Sequence, residues 1–152
     1  MAGSSTNVIL SATDYPVLTL GRTGVSRADS MAQLTTGTLL GFKRGYLHGY
    51  DLVDSSGRRL NVRGAREAID RGWKKAFDFM MNPIIRVELE LEVREASVEL
   101  EWLKKKVIQS LRKDYQAYGD DYVADLIRDV TAARTTRQVI EVVPGLPKSR
   151  ST

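Results

Sequence analysis

The chain has no cysteine and a single histidine, His48, among its 152 residues. Without cysteine there is no disulfide, no thiolate metal site and no thiol nucleophile, and one histidine is too few for a zinc site of nitrogen ligands. The same absence suits a reducing compartment, so the cytoplasm is the expected location. No apolar run approaches the ~20 residues of a membrane span. Val8-Ile9-Leu10, behind an uncharged Met1 to Asn7, is too short for the apolar core of a signal peptide. Neither a membrane segment nor an export signal is expected. Of four prolines, Pro16, Pro83 and Pro144 fall where elements should begin or end.

What is present is the composition of a globular domain, 42% hydrophobic and 28% charged. A chain of this length is one ordinary domain and buries roughly 70% of its unfolded surface without staples. Small polar residues at 1–7 and the Pro/Ser-rich stretch 144–152 read as mobile ends around a single domain over 8–143. The net charge of +4 is unevenly spread: residues 43–75 hold nine Lys/Arg against four Asp/Glu, whereas residues 88–101 hold six Glu against Arg94 alone. Two such segments can neutralise each other, which leaves a weak electrostatic footprint for nucleic acid.

Ile85-Arg86-Val87-Glu88-Leu89-Glu90-Leu91-Glu92-Val93-Arg94 alternates perfectly. Successive side chains of a strand point oppositely, so Ile85, Val87, Leu89, Leu91 and Val93 line a packed face and the charged residues line a wet or ion-paired one. Further strands are expected at Tyr15–Leu20, Thr38–Phe42 and Tyr46–Val53, with Gly21 and Gly24 marking a turn. Asp54-Ser55-Ser56-Gly57 is a strong turn signal, followed by alternation over Arg59–Arg63, hence a hairpin. If that strand lies beside 84–94, Arg59 and Arg63 meet the Glu88/Glu90/Glu92 row.

The period becomes helical over 65–80, where Ile69, Trp73, Ala76, Phe77 and Met80 share a stripe that Asn82-Pro83 ends. Ser26 and Asp29 have the spacing of an N-cap and its acidic partner for a short helix through Ala28, Met31 and Ala32. A long helix is expected from after Arg94 to Tyr118 on Leu100, Leu103, Val107, Leu111, Tyr115 and Tyr118, with Gly119 as its stop. Asp120 or Asp121 caps the next helix, carrying Val123, Leu126, Ile127 and Val130. Thr135 and Gln138 form a capping box for a last one over Val139–Val143.

No constellation spells out a reaction. His48 near Asp51 has the elements of an acid–base pair, but no nucleophile stands at a recognisable spacing, and a structural or exposed histidine is the preferred reading. Glu88, Glu90 and Glu92 stand roughly 6.5–7 Å apart along a strand, too far for shared direct coordination, so they read as a solvated or arginine-paired face and not as a metal site. Asp120, Asp121, Asp125 and Asp129 lack the ordered calcium-loop pattern and read as caps and surface. Gly37, Gly41, Gly45 and Gly49 recur every four residues without forming a phosphate loop; on a strand they would leave a bare surface for a backbone or flat ligand. Trp73, Trp102 and Phe77 read as core, with Trp102 one step off its helix stripe as the alternative exposed anchor. No metal and no cofactor is expected.

The pattern therefore gives an α+β domain: a small, mainly antiparallel sheet of about four or five strands, packed on one face by a mid-chain helix and two or three C-terminal helices, with the other face charged. The expected function is a non-enzymatic protein-interaction module, its partner another protein or a second copy. Recognition is assigned to a charged sheet or hairpin surface built from Arg58, Arg59, Arg63, Glu88, Glu90 and Glu92, with Tyr46 or Tyr50 as an aromatic anchor. The alternative is a nucleic-acid-binding accessory protein using the basic 58–66 segment with Lys104, Lys105, Lys106, Arg112 and Lys113.

Overall fold

The long alternating run forms strand β6, Ile84–Glu95, and the rest of the sheet is ordered around it. The structure is a computed structural model and describes residues 13–21, 24–38, 48–67 and 84–145. Within these lie β1 (Val17–Gly21), β2 (Gly24–Ala28), helix α1 (Met31–Thr35), β3 (Thr36–Thr38), β4 (Asp51–Val53) and β5 (Arg59–Glu67). After β6 come α2 (Leu100–Asp114), a 3-10 turn (Gln116–Tyr118), α3 (Asp120–Ala132) and α4 (Thr136–Val142). The protein is an α+β domain with an antiparallel sheet in the order β2-β1-β4-β5-β6-β3, in which three-residue β3 pairs only with the start of β6.

The hairpin between β4 and β5 forms where the sequence places it. Buried Asp54 organises the turn: its Oδ1 accepts from the Ser56 amide at 3.1 Å, the Ser56 hydroxyl at 2.6 Å and the Arg58 amide at 2.9 Å. Gly57 takes φ +95°, which only glycine adopts without strain. The amide of Val98 donates to the Gly57 carbonyl, tying this turn to the start of the helical half.

The register assigns the two faces. Leu18, Leu20 and Val25 lie on one face with Val53, against the buried stripe Leu103, Val107 and Leu111 of α2 and Val130, Val139 and Ile140 of α3 and α4. The opposite face carries Val17, Leu52, Leu60, Val62, Ile85, Val87 and Leu89, packed with Leu34 of α1. Burying each such aliphatic side chain contributes about 1.5–3 kcal/mol, so both faces hold core. This corrects the expectation of one packed and one charged face: the C-terminal helices cover the β2-β1-β4 end of the very face whose β5–β6 end is charged.

Several boundaries differ from the sequence reading. Ser30, not Ser26, caps α1 by accepting from the Gln33 amide, while Ser26 sits in β2 and hydrogen-bonds Thr19. β5 runs on to Glu67, so Ala65–Glu67 are strand and not the start of a helix; the remainder of the 65–80 expectation, with Trp73 and Phe77, lies outside the described residues. α2 ends at Asp114, leaving Tyr118 69% exposed instead of in the core. Thr135 caps α4 as expected, with Gln138 reaching back to the Arg134 amide. Pro144 and Gly145, read as tail, close the edge of β2: the Arg27 amide donates to the Pro144 carbonyl at 3.0 Å and Arg27 bridges Gly145.

Candidate interaction surface

The uncovered end of the helix-bearing face is a ladder of cross-strand charges. β5 and β6 pair with Asn61 opposite Glu92, Gly64 opposite Glu90 and Arg66 opposite Glu88, with register shifts at Arg59/Leu60 and Val62/Gly64. Arg63, at the second irregularity, joins Glu92, and Arg66 meets Glu88 at 2.7 Å. Arg63, Arg66 and Glu90 are exposed and no helix covers them among the described residues. Between the two ion pairs Glu90 faces Gly64, which has no side chain to offer it, and Glu90 has no ion pair among the described residues.

The expected pairing of arginines with the glutamate row is thus present, with one change of partner. Arg59 reaches Asp51 and Glu95, each at 2.7 Å, and its guanidinium carbon lies 4.8 Å from the centroid of the Trp102 ring. Burial alone would lower the Arg59 pKa, but the hydrogen bonds and charges of Asp51 and Glu95 outweigh it and raise it, so the guanidinium is a fixed cation. Arg59 and half-buried Trp102 join the sheet to α2; neither is an exposed anchor.

Arg58 is likewise turned inward, bonded to Asp54 at 3.3 Å and to the Thr13 hydroxyl at 3.2 Å. Tyr50 is half-buried against the opposite apolar face, and its ring occupies the space that a Cβ at Gly21 would need. Tyr46 lies outside the described residues. Of the residues assigned to recognition from sequence, the ladder therefore brings together Arg63, Glu88, Glu90 and Glu92, and leaves Arg58, Arg59 and Tyr50 in structural positions. Arg66 and Arg94 join it: Arg94 is exposed, 3.7 Å from Glu92.

His48 is exposed in a turn, and both Asp51 oxygens already accept, Oδ2 from Arg59 and Oδ1 from Asn61 at 3.0 Å. Gly49 takes φ +78° in that turn and Gly37 pairs in β3, while Gly41 and Gly45 lie outside the described residues. No group of acidic and histidine side chains placed to hold a metal occurs among the described residues, and no described helix is long and apolar enough to cross a membrane. On α2, Lys105, Lys106, Arg112 and Lys113 are exposed, whereas Lys104 is largely buried and donates to the Thr131 carbonyl at 3.0 Å.

A tyrosine cluster at the turn between α2 and α3 was not legible as surface. Tyr115, Tyr118 and Tyr122 stack in sequence, with centroids 5.5 and 5.9 Å apart. The Tyr115 hydroxyl is spent on the Val25 carbonyl, but Tyr118 and Tyr122 are exposed. The helical line breaks before Gly119, the stop read from sequence: α2 ends at Asp114, Tyr115 takes φ −110° and ψ 11°, and Tyr118 falls in the 3-10 turn that follows. The chain matches no protein-family model, and no curated protein or solved structure is significantly similar to it.

Proposed function

We propose that this protein is a non-enzymatic interaction module that recognises another protein through the charged β5–β6 face. The observation that carries the reading is the place where the helix layer stops: at β4 the face passes from buried aliphatics to exposed charges whose spacing is set by an antiparallel register. A rigid strand pair presents charges with little ordering cost on binding, and such charges set partner choice and on-rate more than affinity. The cysteine-free chain suits the cytoplasm, which is the location proposed with this function.

The test is affinity capture from native lysate with nuclease added, comparing wild type with the Glu90→Lys/Glu92→Lys variant. A nuclease-resistant protein retained by wild type and lost by the variant supports the reading. Equal capture by a variant that melts like wild type contradicts it.

The second reading is nucleic-acid binding through α2, favoured by one observation: Lys105 and Arg112, and Lys106 and Lys113, stand two turns apart in adjacent exposed rows. The arginines of 58–66 do not extend that surface, since each is paired with a carboxylate. Binding through α2 would weaken steeply with salt as counterions are released.

A further inference from the structure

The two edges of the sheet are treated differently. The β2 edge is closed by Pro144 and Gly145. On the β6 edge, β3 pairs with Ile84–Arg86 only, so the outer backbone of β6 from Val87 to Glu95 has no strand beside it among the described residues. The far end of this edge is solvent-facing, with Val93 48% exposed although its partner across β5, Leu60, is fully buried. An unpaired edge presents a row of N–H and C=O groups that another chain can continue.

A second copy of β6 is a poor occupant. Antiparallel pairing about Glu90 would set Glu88 of each copy against Glu92 of the other, and like charges directly opposite destabilise a strand pair. Moving the centre toward Val93 meets the register shift at Arg94, which breaks regular pairing. The edge repels its own kind and asks for positive charge.

The charge row also has one carboxylate with no cation to meet it among the described residues. Glu88 and Glu92 are held by Arg66 and Arg63, but Glu90 between them faces Gly64. A Cβ at Gly64 would lie 3.6 Å from Glu90 Oε2, in ordinary van der Waals contact, so the Glu90 carboxylate itself leans over the glycine. A lysine or arginine from outside can meet that carboxylate, flanked by two ion pairs that keep the neighbouring cations turned to their own glutamates.

We propose that the outer edge of β6 is a docking strand for an extended protein segment with basic residues at alternate positions, one of which pairs with the Glu90 carboxylate. Main-chain hydrogen bonds along the edge supply affinity. Alternation supplies specificity, because every second side chain of the added strand falls on the glutamate face and the others on the face of Leu89 and Leu91. This inference rests on the reading of the β5–β6 face as a recognition surface and narrows its partner to one chemical class.

The experiment is fluorescence anisotropy with a labelled nine-residue peptide of alternating lysine and valine, against a peptide of the same composition with its lysines in one block. Binding of the alternating peptide that weakens about tenfold or more in Glu90→Lys, and weakens also in Gly64→Val, whose side chain crowds the Glu90 carboxylate without demanding a left-handed backbone, is the expected result. Amide exchange of both variants without peptide should match wild type through β5 and β6. Equal binding of the block peptide, or of either peptide to Glu90→Lys, overturns the proposal by showing mere polyelectrolyte attraction. No binding of the alternating peptide overturns it too, as does a concentration-dependent dimer of the free chain that the peptide cannot displace. If the peptide fails while Glu90→Lys/Glu92→Lys still loses its nuclease-resistant partner from lysate, the module reading stands and the basic-strand inference alone falls.

Discussion

The guanidinium of Arg59 lies 4.8 Å from the Trp102 ring centroid while its two terminal nitrogens hold Asp51 on β4 and Glu95 on β6. One side chain thus joins three elements at the line where the helix layer gives way to the charged ladder. Lysine cannot replace it, because a point charge does not bridge two carboxylates and stack on an indole at once. Arg59→Ala should cost about 1–3 kcal/mol and Arg59→Lys should recover only part of that. Both should shift Trp102 emission, measured beside urea unfolding of each variant.

Asp54 is a second structural carboxylate, 1% exposed and accepting from two amides and a hydroxyl. Asp54→Ala leaves those donors without a partner in the β4–β5 turn and should destabilise by about 2–3 kcal/mol. Asp54→Asn, which keeps one acceptor oxygen, should lose less. Thermal melts of the pair decide it.

The exposed ladder behaves differently. Arg63–Glu92 and Arg66–Glu88 are solvent-facing, so breaking either with Arg63→Gln or Arg66→Gln should change stability by about 0.2–1 kcal/mol, and less at high salt. A loss of several kcal/mol in chemical unfolding would mean that these pairs hold the fold and are not surface.

Burial pushes the Tyr15 hydroxyl up to about 12 and also raises Tyr115, helped by the nearby Tyr122, Tyr118 and Asp114. Below pH 10 tyrosine is neutral in both folded and unfolded chains. Between pH 10 and about 12 the unfolded chain ionises at Tyr15 and the folded one does not, so stability falls across that window. Tyr15→Phe should make the fall shallower in urea titrations at pH 9, 10 and 11.

Much of the fold was legible because its signals are local. Strict alternation gave β6, Asp54-Ser-Ser-Gly57 gave the hairpin turn, and the Leu103, Val107 and Leu111 spacing gave the buried face of α2. Which face the helices would choose was not legible. Val53 and Arg59 are direct partners on one face, and only tertiary packing decides that α2 covers the valine and stops at the arginine. The same limit hid the recognition residues: Arg58, Arg59 and Arg63 look alike in sequence, yet a turn, a helix contact and a register shift send them to three different environments. The unmatched carboxylate of Glu90 depends on that shift, since one residue of offset decides whether Glu90 meets glycine or arginine.

The most direct measurement places a photoreactive amino acid in the living cell at Glu90 in one strain and at Lys106 in another, followed by irradiation and nuclease treatment. Discrete protein adducts are expected from position 90 and none from position 106. Adducts from position 106 alone, or nuclease-sensitive material there with nothing at position 90, would contradict recognition through the β5–β6 face and move it to the basic face of α2.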